Sequence, residues 1–256
     1  MSTPTALAHD LALALDPARL MQTSGLPPDP WQAALLRSSA SRILLLCSRQ
    51  SGKSTTTASL ALHTALYQPR ALVLLLSPSL RQSQELFRKV LTAYRTLAAP
   101  VPAEQESALR IELANGSRLV ALPGTESTIR GYSGVRLLII DEAARVSDDL
   151  YYSVRPMLAV SGGRLVALST PFGKRGWFHQ EWTHGQQWER VKIPAHDCPR
   201  ISPAFLEDER RSLPAMWFNS EYMCEFNEAE DSVFLYEHVM GAVTPEVQPL
   251  FAGATL

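Results

Sequence analysis

The feature that most constrains the fold of this chain is a short apolar run that leads directly into Gly52, Lys53 and Ser54. Residues 43–55 read ILLLCSRQSGKST, which predicts a buried strand, a tight turn and a helix that begins at Lys53. In such a turn, backbone N–H groups and the helix N-terminus attract phosphate oxygens, the lysine reaches the β and γ phosphates, and the serine ligates Mg²⁺. The usual pattern, GxxxxGK[ST], starts with glycine, whereas this chain has Cys47 there. The alternative is that GKS occurs by chance in a surface loop. The predicted strand before this sequence and the predicted helix after it argue against that interpretation.

A second apolar run ends in two acids. Residues 137–142 read LLIIDE. At the end of a strand near a phosphate loop, Asp141 would hold Mg²⁺, through water, and Glu142 would orient and deprotonate the attacking water. On its own, such an acid pair is equally typical of a helix N-terminus. The GKS loop upstream favours the catalytic interpretation.

A third apolar run, residues 165–170 (LVALST), ends in the hydroxyls of Ser169 and Thr170. Ligands of parallel sheets lie beyond the carboxyl ends of the strands, so both side chains are expected close to the γ phosphate. The alternative is an ordinary Ser/Thr turn before Pro171.

Strands and helices alternate along the first 200 residues. The strands are apolar on both faces, which is typical of a parallel sheet covered by helices. The fold class is therefore α/β. Together with the GKS loop and the acid pair, it predicts a P-loop NTPase (ASCE, RecA-like) with a mainly parallel central sheet flanked by helices. Helices are predicted over 5–21, 31–38, 53–67 and 80–97, strands over 43–47, 71–76, 135–140 and 164–168, a hairpin over 109–122, and helical segments after 199.

Charge is distributed unevenly along the chain. The net charge is −1, but residues 1–211 carry all 24 Lys and Arg against 18 acids, whereas residues 212–256 carry seven acids, Glu221 the first, and no Lys or Arg. A strongly basic nucleic-acid binder is excluded, and tight, salt-sensitive DNA binding by the isolated chain is not expected. We expect the acidic segment to face solvent or a neighbouring subunit's basic surface.

Three cysteines without CxxC spacing argue against a disulfide framework, and the histidines show no zinc spacing. The apolar runs are too short to span a bilayer, and the N-terminus lacks the features of a signal peptide. These features predict a cytoplasmic protein without a membrane partner.

Read with their flanks, these motifs resemble the ATPase domain of bacteriophage terminase large subunits, the motors that package DNA. The likeness runs from about residue 25 to 240 in the family's order. It rests on DPWQ (29–32), SRQSGKS (48–54), SPSLRQSQELFRKV (77–90), IRGYSG (129–134), LLIIDEA (137–143), LSTPFGKRGWFHQEW (168–182) and EYMCEF with SVF (221–234).

The resemblance implies a role for each matching residue. Glu142, Lys53 and Arg130 would be catalytic, with Arg130 acting as a finger in a neighbouring subunit's site; an ordinary loop arginine is the alternative. Ser54 and Asp141 would hold Mg²⁺. The ATP-binding set would be Gln32, at adenine, with Arg49, Gln50, Ser51, Gly52, Lys53, Ser54, Thr55, Ser169 and Thr170. A surface glutamine and a solvated loop charge are the alternatives for Gln32 and Arg49.

The implied function is ATP hydrolysis that powers translocation of double-stranded viral DNA into a procapsid. The implied partners are DNA, further copies in a homo-oligomeric ring, a portal protein and a small terminase subunit, in the host bacterial cytoplasm. A helicase-like or other nucleic-acid-remodelling ATPase would need a second sheet domain, for which 256 residues leave no room. A non-catalytic nucleotide-binding assembly module is disfavoured because Lys53, Asp141 and Glu142 are intact.

Two units are predicted. Residues 1–198 would form the ATPase core, with a helical N-terminal segment over 1–25, and residues 199–256 a small helical lid or linker subdomain. Terminase large subunits usually continue into a nuclease domain, but no strand ending in Asp is predicted after residue 200. We therefore expect no nuclease domain in this sequence.

Overall fold

An eight-stranded sheet lies at the centre of the computed structural model, which describes residues 4–124, 131–227 and 241–242. The strands are β1 (Arg42–Cys47), β2 (Leu72–Ser77), β3 (Ala103–Glu106), β4 (Arg110–Leu113), β5 (Arg118–Pro123), β6 (Val135–Asp141), β7 (Arg164–Ser169) and β8 (Glu189–Ile193). The helices are α1 (Pro4–Leu15), α2 (Pro17–Thr23), α3 (Pro30–Arg37), α4 (Lys53–Tyr67), α5 (Leu80–Thr96), α6 (Asp148–Val154), α7 (Gly176–Thr183), α8 (Pro203–Ser212) and α9 (Ala215–Glu221).

The strand order across the sheet is β3-β4-β5-β2-β6-β7-β1-β8. Neighbouring strands are parallel across the part of the sheet with the order β5-β2-β6-β7-β1-β8. Strands β3 and β4 extend the β5 side of the sheet in antiparallel fashion. The predicted α/β class with a mainly parallel sheet is therefore confirmed. Because β6, β7 and β1 are neighbours that run in one direction, their carboxyl ends meet at the same edge.

The central strands β1, β2, β6 and β7 are buried on both faces, as the strands of parallel sheets are. Alternate residues of β1 enter different cores: Ile43 and Leu45 pack on the face covered by α4 and α5, whereas Leu44 and Leu46 pack on the face that contains Trp177. A fully buried Leu contributes about 1.5–3 kcal/mol through its apolar area. Apolar runs of this kind are what made these strands predictable.

Two differences from the predicted elements have local causes. The predicted single helix over 5–21 is wrong, because Pro17 has no N–H to continue α1 and instead opens α2, with Asp16 accepting a hydrogen bond from the Ala18 N–H at 3.0 Å. Strands β3 and β8 were not predicted, because β3 is exposed throughout and only the last residue of β8 is buried. The predicted hairpin is confirmed, since β4 and β5 pair in antiparallel fashion.

Among the described residues, no helix combines the length and apolar character that crossing a membrane requires.

Gly163, which precedes β7, lies where the first residues of β6 and β7 are tightly packed. A Cβ on Gly163 would overlap the carbonyl oxygen of Val135, at the start of β6. We expect Gly163→Ala to lower the free energy of unfolding by about 1–3 kcal/mol, because backbone must move to make room. Gly241→Ala is the control, since an added Cβ there meets no atom within 4 Å. It should not lower the free energy of unfolding in urea, because alanine is favoured over glycine in a helix. Equal effects of the two substitutions would contradict this packing.

Candidate nucleotide-binding site

The turn between β1 and α4 has the backbone that phosphate binding requires. Gln50 (φ 59°) and Gly52 (φ 89°) are both left-handed, and a Cβ on Gly52 would lie 2.7 Å from Gln32 Nε2. Gly52 is also the N-cap of α4 and makes no side-chain cap, so the first N–H groups of the helix have no partner within it. Such an end is suited to an anion.

Cys47, which replaces the expected first glycine, needs no special backbone. It is the last residue of β1, fully buried, and pairs with Ile193 of β8. Burial raises the pKa of its thiol, so the side chain stays neutral within the core. The left-handed conformations of this turn fall on Gln50 and Gly52 instead.

The ends of β1, β6 and β7 surround one cavity of about 410 Å³. Most of its lining comes from residues predicted from sequence, and three lining residues were not predicted: Gln82, Lys89 and Arg145. The lining comprises Arg49, Gln50, Gly52, Lys53, Ser54, Thr55, Gln82, Lys89, Glu142, Arg145 and Thr170. The cavity therefore joins the GKS loop, Glu142 of the acid pair and Thr170 at the end of β7.

The carboxylate of Glu142 lies between two cations in this cavity. Lys53 Nζ is 3.6 Å from Glu142 Oε1, and Arg145 Nη1 is 3.6 Å from Glu142 Oε2. The backbone of Glu142 is left-handed (φ 50°, ψ 44°), an uncommon conformation for a residue with a side chain. Its N–H donates to Asp141 Oδ1 at 3.0 Å, which fixes the two acids relative to each other.

Asp141 is a buried carboxyl with an altered titration. Burial raises its pKa, the neighbouring Glu142 adds to this, and Lys53 and a hydrogen bond from Ser54 partly offset it. Ser54 and Asp141 offer a hydroxyl and a carboxylate oxygen, the donor types that Mg²⁺ takes. Among the described residues, no three His, Cys, Asp or Glu cluster around a point. The pair fits an ion that takes few protein ligands and completes its shell with phosphate and water oxygens.

The two hydroxyl residues at the end of β7 have different environments. Thr170 is almost fully buried and lines the cavity. Ser169 is fully buried without lining it, and its Oγ has no hydrogen-bond partner among the residues that the structure describes. Only Thr170 therefore faces the cavity directly.

Gln32 lies behind the loop rather than in the cavity lining. It is buried, and its Oε1 accepts a hydrogen bond from the Asp29 N–H at 2.8 Å as part of a capping box on α3. Its Nε2 lies against Gly52. Contact with adenine stays a prediction.

Arg49 lines the cavity while pairing with the end of α9. Its N–H donates to the carbonyl of Glu221 at 3.0 Å, and its Nε lies 2.5 Å from Glu221 Oε2. This hydrogen bond raises the pKa of Arg49. The expectation that the acidic segment faces solvent or a neighbouring subunit is therefore wrong for Glu221, since it is buried against this chain's own loop.

Arg200 holds the loop in place and was not predicted. Its Nη2 donates to the carbonyl of Ser51 at 2.7 Å, and its Nη1 lies 2.7 Å from Asp29 Oδ2. The contact with Ser51 spans 149 residues, so no local pattern could have revealed it. Arg145 lies only three residues after Glu142, but the 3₁₀ turn that brings it to the cavity has no signal in the sequence.

Arg130, predicted as the finger residue, lies outside the described residues, and its role stays a prediction.

The parallel sheet and the strand–loop–helix at β1 define the class of protein as a P-loop NTPase. Residues 44–239 match the family model described as terminase large subunit, T4likevirus-type, N-terminal. This chain therefore belongs to the terminase large-subunit family. The resemblance drawn from the sequence is confirmed.

Individual relatives agree with the family model. The chain is 27% identical over 255 residues to the terminase large subunit of Thermus virus P23-45, an alignment that covers 84% of this chain and 52% of that protein. It thus spans about half the length of the curated relatives it matches.

Solved structures share the fold. The large terminase ATPase domain of Thermus phage P74-26 has a TM-score of 0.73 and 22% identity, covering 82% of this chain and 98% of that chain. The large terminase of a thermophilic bacteriophage, solved in complex with ADP, has a TM-score of 0.62 and 13% identity, covering 77% of this chain and 53% of that chain.

The burial of Asp141 predicts that its charge lowers the stability of the fold. We expect Asp141→Asn to raise the free energy of unfolding, measured without nucleotide at pH 7, by about 1 kcal/mol, because a buried charge is removed. The sign follows from the raised pKa of Asp141. At pH values above the ordinary pKa of a carboxyl, folding disfavours the ionised form, so the charge lowers the free energy of unfolding. Asp149→Asn is the control: it removes an exposed carboxylate at the start of α6. A loss of stability in Asp141→Asn larger than in the control would show instead that the Asp141 carboxylate stabilises the fold.

Proposed function

We propose that this chain is the Mg²⁺-dependent ATPase of a motor that moves double-stranded viral DNA into a procapsid. One observation carries the chemical part of the proposal. Lys53 and Glu142 lie 3.6 Å apart in a single cavity that the GKS loop and the ends of β6 and β7 form. Membership of the terminase large-subunit family supports the biological part.

Phosphate binding would be the task of the loop. The N–H groups at the start of α4 and the ammonium of Lys53 would hold the β and γ phosphates of ATP. The thermophilic bacteriophage large terminase whose fold this chain shares has been solved with ADP and with ATP-γ-S. Ser54 and Asp141 would hold Mg²⁺, which neutralises phosphate charge when bound.

Hydrolysis would use Glu142 as general base. Its carboxylate accepts a proton from water as the water oxygen bonds to the γ phosphorus, and the bond from that phosphorus to the bridging oxygen of ADP breaks. The products are ADP and inorganic phosphate. Thr170, which lines the cavity, would respond to loss of the γ phosphate.

The assembly is also part of the proposal. Arg130 of a neighbouring copy would reach the transferring phosphate in a homo-oligomeric ring, with a portal protein and a small terminase subunit as further partners. Residues 1–198 would form the ATPase core and residues 199–256 a lid. Contacts of Arg200 with Ser51 and of Glu221 with Arg49 support a lid that rests on the phosphate loop.

Replacement of the general base separates catalysis from binding. We expect Glu142→Gln to lower kcat by at least about 100-fold, because the amide cannot accept the proton, with the nucleotide Kd within about threefold of wild type. Phosphate release and fluorescent-nucleotide titration measure the two quantities. Glu85→Gln, an exposed change on α5, is the matched control and should have wild-type turnover.

Two results would count against the proposal. Wild-type turnover in Glu142→Gln would remove the general-base role. Absence of turnover in the wild type, with double-stranded DNA and at high protein concentration, would instead favour a nucleotide-binding assembly module.

A further inference from the structure

We propose that Arg145 is a positioning residue for ATP hydrolysis, which holds the Glu142 carboxylate in place while the ring of Phe172 holds Arg145. The inference rests on the proposed ATPase function and deepens it, since no sequence motif pointed to Arg145. It would make the loop after β7 a determinant of the hydrolysis rate.

The local backbone brings Arg145 back over Glu142. Residues Ala143–Arg145 form a 3₁₀ turn in which the Arg145 N–H donates to the Glu142 carbonyl at 2.9 Å. This turn returns the chain toward Glu142, so the Arg145 Nη1 atom lies 3.6 Å from Glu142 Oε2. Lys53 Nζ lies against the other carboxylate oxygen, Oε1.

Lys53 alone would not hold the carboxylate during the reaction. Its ammonium is the group that the loop offers to the β and γ phosphates, so bound ATP competes with Glu142 for it. Arg145 is then the cation that stays beside Glu142. Guanidinium also has a planar array of N–H donors, which defines orientation better than an ammonium does.

The ring of Phe172 packs against the guanidinium of Arg145. The Arg145 guanidinium carbon lies 4.5 Å from the centre of the Phe172 ring, and that of Arg175 lies 4.9 Å from it. Both distances are within the range of cation–π attraction. Phe172 follows Thr170 by two residues and does not line the cavity, so its influence on the reaction would pass through Arg145.

The loop that carries Phe172 is tied to the C-terminal part of the described chain. The carbonyl of Pro171 accepts a hydrogen bond from Ser220 Oγ at 3.4 Å, and the N–H of Lys174 donates to the carbonyl of Asn227 at 3.0 Å. A movement of those segments would shift Phe172 and thereby Arg145. The Glu142 carboxylate is thus linked, through Arg145 and Phe172, to residues outside the cavity.

The test is steady-state ATPase kinetics of Arg145→Ala, Arg145→Lys, Phe172→Ala and the double variant with both alanines. We expect Arg145→Ala to lower kcat about 10- to 100-fold with KM within about threefold, because transition-state positioning is lost and phosphate binding is kept. Arg145→Lys should have a kcat between those of Arg145→Ala and the wild type, since it keeps the charge but loses the planar array of donors. Phe172→Ala should lower kcat about 3- to 10-fold, and the double variant should be no slower than Arg145→Ala, as for two residues that act through one contact.

The matched control is Arg155→Ala. Arg155 also stacks on an aromatic ring, with its guanidinium carbon 5.3 Å from the centre of the Tyr151 ring, but it does not line the cavity. Its kcat should equal that of wild type, and thermal melting of every variant reports whether the fold is retained.

The outcomes are distinguishable. Wild-type kcat in Arg145→Ala and Arg145→Lys, with the wild type active, would overturn this inference alone. A raised KM with unchanged kcat would make Arg145 a phosphate-binding residue instead, and additive losses in the double variant would overturn the role of Phe172. An inactive wild type would overturn the proposed ATPase function and this inference together.

Discussion

Parallel hydrogen bonding of β7 between β6 and β1 is the constraint on which the candidate site depends. The register pairs Asp141 with Leu168 and Leu46 with Ser169, so the three strands end within a residue or two of one another. Each end carries one part of the proposed chemistry: the phosphate loop, the acid pair and the Ser/Thr pair. A shift of one residue in either pairing would turn the side chains of a strand to its other face and separate these groups.

Burial of these strand ends gives the site its electrostatic character. Lys53 and Asp141 are both almost fully buried, and burial raises the pKa of Asp141 although Lys53 and Ser54 partly offset it. Such an arrangement disfavours the folded state while it concentrates charge where phosphates would bind. The contacts of Arg200 and Glu221 with the loop add a second layer, which connects the cavity to the C-terminal part of the described chain.

Much of this architecture could be predicted because it is encoded locally. The apolar runs of β1, β2, β6 and β7 and the GKS turn each lie within about ten residues. Strand β8 could not be predicted, because its pairing with β1 rather than its own composition makes it a strand. Arg200 depends on a contact across 149 residues, and Arg145 depends on a 3₁₀ turn that no apolar period indicates.

We infer that the cavity at the ends of β1, β6 and β7 binds the phosphates of ATP. Calorimetric titration of Mg²⁺-ATP into the wild type and into Lys53→Ala tests it most directly. We expect one nucleotide per chain for the wild type, and at least about tenfold weaker binding for Lys53→Ala, because a charge-assisted contact with phosphate is lost. Equal affinity in the two proteins, or no binding by the wild type, would contradict it.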